Sequence, residues 1–205
     1  MDEIFSIFLE TFGGPVGRQE VPASSIERYK GKLPSQLLEY WSEHGWSGYG
    51  DGVFWIVNPQ EYEDVVKSWL EGTKFEAVDT YHLIARSAFG DLYLWGENTG
   101  ASLKITSILS RYTTHESIYL GDQMDKGLRS FILSRRVDSN DYGELFKPAK
   151  RKLGTLRHNE MYGFVPAVML GGPDTLDHLE KLEAVEHLIL LSQLAELQPY
   201  GFENG

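Results

Sequence analysis

The sequence predicts an α+β protein in which helices pack on an antiparallel sheet, with a smaller α+β unit packed against it. Three observations carry this. Apolar residues recur at helical spacing near the start, in the middle and near the end of the chain. Between residues 81 and 107 the pattern changes to short runs rich in β-formers, separated by glycine-containing turns. Helices and strands do not alternate regularly, as a parallel βαβ sheet would require.

The elements follow in order. Ile4, Phe5, Phe8, Leu9 and Phe12 mark a first helix over residues 2–12, stopped by "GGP". Pro22 with Ser24 or Ser25 opens a short helix through Tyr29. Pro34 suits the first turn of the next, with Leu37, Leu38 and Trp41 on its apolar face and Gly45 as its cap. "GWSGYGDG" reads as an exposed glycine-rich turn leading into a buried strand, "GVFWIV". Pro59 begins a helix that gathers Tyr62, Val65, Val66, Trp69 and Leu70 on one side.

"YHLIARS", "DLYLWG" and "ASLKITS" then form an antiparallel meander, turning at "AFG" and "ENTG". A strand near Ile118–Leu120 and a helix around Met124–Leu133 complete this part. The polar, turn-rich "RRVDSNDYG" at 135–143 is the expected boundary, giving domains at 1–135 and 136–205. Beyond it, "YGFVPAVMLGG" reads as a strand with Pro166 at an edge or bulge, and residues 184–197 as a helix. Gly163, Gly171 and Gly172 are expected to serve the fold.

Composition narrows the function. With 205 residues, 41% hydrophobic and 24% charged, the chain can bury a real core. The absence of cysteine excludes disulfides, thiolate metal sites and cysteine nucleophiles, and fits a cytoplasmic location. The acidic start "MDEIFSIFLETF" does not resemble a secretory leader, and no stretch has the roughly 18 apolar residues of a membrane span.

Six scattered histidines offer no ligand spacing; His158-Asn159-Glu160 lacks the cysteine pair of a zinc deaminase. Neither phosphate-loop spacing nor a G-x-S-x-G elbow occurs. Asp51 and Asp91 are the one candidate carboxylate pair for a hydrolase. The expectation is a protein with no catalytic residue, no metal and no cofactor.

The net charge of −11 repels nucleic-acid phosphates and anionic membranes and suits a basic protein partner. Its distribution is uneven. Residues 36–98 carry eleven acids against three bases, together with all five tryptophans. Trp41 and Trp55 fall on apolar faces and are assigned to packing. Trp46, Tyr49, Asp51, Asp91 and Glu97 lie in predicted turns or strand ends and form the candidate partner-binding set. The basic cluster Lys147, Lys150, Arg151, Lys152 and Arg157 reads as a solvated helix face or an intramolecular partner for the acidic half.

The segments "FGGP", "LPSQLLEYWSEHGW", "GDGVFWIVNPQEY", "RSAFGDLYLWGENTG" and "TSILSRY" resemble, in that order, the GAD-like domain. "LPSQLLEYW" and "FGDLYLW" are more distantly similar to the SMI1/KNR4 (SUKH) immunity superfamily. "LFKPAKRKLGTLRHNEMYGFVPAVMLGG" and "AVEHLILLSQL" resemble the domain that follows it in immunity proteins of the Tdi type. The resemblance runs from about Phe5 to Leu194 and implies a SUKH-like fold. It also implies an immunity protein that neutralises a type VI secretion toxin, most often a nuclease such as a DNase, by stoichiometric binding. The alternatives are a SUKH-type module for another toxin or regulatory partner, and the carboxylate-pair hydrolase. No toxin-contacting residue is carried over by motif, and the sequence does not set the oligomeric state.

Overall fold

The computed structural model describes residues 2–201. Its first helix, α1 (Glu3–Phe12), starts where Asp2 accepts a hydrogen bond from the Ile4 amide at 2.7 Å, and stops at Gly13 with φ of 81°. Phe5, Phe8 and Phe12 share its inner face and are buried. Helices α2 (Ala23–Tyr29) and α3 (Ser35–His44) follow as expected, and Gly45 caps α3 at φ of 71°.

Eight strands form one sheet: β1 (Val16–Gln19), β2 (Trp46–Tyr49), β3 (Phe54–Ile56), β4 (Tyr81–Ser87), β5 (Asp91–Gly96), β6 (Gly100–Thr106), β7 (Arg111–Thr114) and β10 (Gln198–Pro199). The first seven make an antiparallel meander in chain order, and β10 adds in parallel beside β7. The expected 81–107 meander is β4 to β6.

Alternation along these strands gives the sheet two covered faces. Tyr93 packs against Phe131 of α5 (Met124–Leu133), and a Cβ on Gly127 of the same helix would lie 3.6 Å from Trp95. α1 and α3 pack beside α5. Leu92 and its partner Arg86 point the other way. That side carries α4 (Glu63–Leu70) and α7 (Ala184–Ser192), joined where Trp69 donates to the Leu188 carbonyl at 3.1 Å.

α6 (Phe146–Leu153) and a hairpin of β8 (Glu160–Phe164) and β9 (Leu179–Glu183) complete the chain. The hairpin docks where the Tyr162 amide donates to the Ala88 carbonyl at 2.9 Å. Arg86, fully buried, reinforces this joint. It donates to the Tyr62 hydroxyl and to the carbonyls of His158 (2.7 Å) and Glu160 (2.8 Å), and lies over the Trp55 ring. Buried apolar side chains from Phe5 to Leu191 form a single cluster.

Several expectations need correction. "WSGY" is strand β2, not an exposed turn, because Gly48 leaves room for the Trp55 ring; a Cβ there would lie 2.9 Å from it. The strand placed at Ile118–Leu120 is β7 instead. Residues 115–120 turn back on Ser117, whose hydroxyl accepts from the Tyr119 amide, and Ile118 is left 82% exposed. The strand from Tyr162 stops at Phe164, and the last helix stops at Ser192.

Candidate partner-binding surface

The turn between β2 and β3 places Asp51. Gly50, Asp51 and Gly52 all have positive φ (60°, 60° and 99°), and the Trp55 indole closes the turn by donating to the Gly52 carbonyl at 2.7 Å. A Cβ on Gly50 would come within 2.7 Å of Val53, so this position requires glycine on both counts. Asp51 projects into solvent, and its carboxylate meets Lys150 of α6 at 3.0 Å. The basic helix is thus, at this residue, an intramolecular partner of the acidic half.

Trp46 and Tyr49 flank that turn in sequence but are not on its surface. Trp46 is 6% exposed, packed edge-on to Trp41 with ring centroids 5.7 Å apart. Tyr49 is fully buried between the edges of Phe5 and Phe8, and burial pushes its hydroxyl up to about 12. Their expected exposure is overturned: both rings are core, and neither can touch a partner from outside.

Asp91 opens β5. One carboxylate oxygen accepts from the Thr106 hydroxyl at 2.9 Å, and the other meets Lys104 at 3.3 Å. It lines a groove of about 380 Å³ with Tyr142 and Tyr200, which Asp51 does not share. Glu97 follows the other end of β5, roughly 20 Å away at strand rise, and pairs with His82 at 2.9 Å. Asp51, Asp91 and Glu97 therefore do not converge, and each already faces a base.

Acids without such partners lie elsewhere. Among the described residues, Asp64 of α4, Glu71 just past its end and Glu186 of α7 are exposed and make no ion pair. Sequence reading passed over them because it looked for acids beside aromatics in turns, whereas these sit on helices. No group of three or more His, Asp or Glu among the described residues could hold a metal ion, and no helix is long and apolar enough to cross a membrane.

Comparison with known proteins places this geometry. Residues 3–109, from α1 through the β6 strand, match the model of the GAD-like domain. The chain belongs to the GAD-like domain family. In this GAD-like protein, residues 125–195 match a second model, described as the C-terminal part of the type VI secretion system immunity protein Tdi1. The order, a GAD-like segment followed by a segment similar to the Tdi1 C-terminal part, is the one the sequence resembles.

A crystal structure of Atu4351 from Agrobacterium tumefaciens has the same fold: TM-score 0.81 at 23% identity, over 95% of this chain and 90% of that one. No curated protein matches the sequence. The structural match spans both family segments and supports one architecture for the whole chain.

Proposed function

We propose that this GAD-like protein binds a basic nuclease toxin delivered by type VI secretion, and neutralises it by stoichiometric occupation. The observation that carries the reading is the Tdi1-type segment at 125–195 on a chain of net charge −11. A DNase presents cationic surface to phosphates, and an acidic inhibitor is drawn to that same surface. Nothing in this action requires a catalytic group. The site of action is the cytoplasm, where a DNase meets its substrate. Asp51, Asp91 and Glu97 contribute to the field that steers the partner, while Trp46 and Tyr49 act only as core beneath it.

Titrating the purified protein into a plasmid-cleavage reaction run by the effector domain encoded beside it tests this. Cleavage should fall linearly to zero near one equivalent. An effector that binds but never cleaves DNA would shift the reading to another toxin class. An effector that neither binds nor is inhibited would end it.

A further inference from the structure

We infer that the outer face of the α4–α7 helix pair is the principal docking surface for the basic toxin domain. This rests on the toxin-binding reading above and deepens it.

α7 has the sequence "AVEHLILLS", apolar on nearly every side. Such a helix is normally buried all round. Here only Ala184, His187, Leu188 and Leu191 are buried. Leu190 is 51% exposed, and Val185 and Ile189 are partly buried against the core. Among the described residues, Leu190 is thus left facing outward, with Val185 and Ile189 showing only their outer edges beside it.

α4 supplies the neighbouring stripe. The hydroxyls of Ser68 and Ser192 hydrogen-bond where the two helices meet. At helical spacing, Asp64 and Ser68 run along α4, with Glu71 capping its end, and Val185-Ile189-Ser192 run along α7, so two acids flank this row. Residues 63–71 and 183–196 together hold six acids and one base, Lys67. Asp64, Glu71 and Glu186 are exposed and pair with no base among the described residues, unlike Asp51, Asp91 and Glu97. An aliphatic centre with a carboxylate rim is the anatomy of an interface for a cationic partner. The same charge disfavours a second copy of this chain, which would bring acid against acid. One helix comes from each family segment, so the surface exists only when both are folded together.

The test uses the full-length protein and the adjacent-gene effector domain with its nuclease disabled by substitution. Leu190→Lys should weaken binding at least ~10-fold, as expected for an exposed apolar anchor. Asp64→Lys combined with Glu186→Lys should slow association about 10-fold at low salt and much less at high salt. All three positions are exposed, and unchanged melting would confirm folding. On the unmodified protein, hydrogen exchange should show protection over 64–71 and 185–193 when the effector is added. Retained affinity in both variants, or protection confined to other segments, overturns this surface while leaving the immunity reading intact. A wild-type protein that does not bind overturns both. Loss of self-association alone in Leu190→Lys would make the face a homodimer contact and overturn the proposal.

Discussion

At the scale of single residues, Arg86 is the one whose loss should be felt furthest. It is fully buried, forms no ion pair, and relies on carbonyls, a hydroxyl and an indole face. Arg86→Met would leave the His158 and Glu160 carbonyls short of donors, at a cost of about 3 kcal/mol. Arg86→Lys should recover little, since an ammonium cannot reproduce the planar fork. Urea unfolding followed by tryptophan fluorescence measures both.

His187 gives a pH prediction. Burial holds its imidazole below the usual value; His44 is lowered likewise, mainly by burial and against an opposing pull from Glu43. The unfolded chain takes up these protons near pH 6.5 and the folded chain resists them, so stability should fall as pH drops below about 6.5. His187→Gln should flatten the urea midpoint between about pH 7 and pH 5; an unchanged slope would discount His187 as its source. Trp41 and Trp55 were legible as core because each sits on an apolar face. Trp46 and Tyr49 were not, because a glycine that makes room for an indole looks, in sequence, like a glycine that makes a turn.

At the scale of elements, two contrasting substitutions separate supporting from displayed structure. In β8, a Cβ on Gly163 would lie 2.5 Å from the His187 ring. Gly163→Val should therefore push α7 off the hairpin, lowering stability by about 2–3 kcal/mol and reducing soluble yield. Ile118→Ser should change stability by less than about 0.5 kcal/mol, because that side chain packs on little. Thermal melts of the pair check both. The helices ending at Gly13 and Gly45 were read nearly to the residue, since such caps are local signals. The last helix, with no glycine to end it, was carried five residues too far. β1 escaped notice, being four residues long with only Val16 apolar. β7 was misplaced because the more apolar run, around Ile118, was turned out to solvent by Ser117.

At the scale of the whole molecule, the proposed division at residue 135 concerns chain segments that share one core. Tyr142, Gly143 and Glu144 all have positive φ in this connection, and Gly143 and Glu144 are exposed. Limited proteolysis should cut first within 135–143, yet the two pieces should remain associated on a sizing column. Cuts that never fall there would discard the division. Fold class and family order were legible from pattern and motif. The outer surface was less so: which acids stay unpaired depends on Lys104, Lys150 and His82 arriving from distant positions, and no local window reports that.

Arg86 also ties a strand made early to a hairpin made late. When residues up to 109 have left the ribosome, β1 to β6 have emerged, with Arg86 on β4 among them. The carbonyls of His158 and Glu160 follow about 50 residues later, at a few seconds' delay for typical elongation rates. Until they arrive, the guanidinium has the Tyr62 hydroxyl, the Ser87 carbonyl and the Trp55 face within reach of its own segment, and lacks the two acceptors that the hairpin brings.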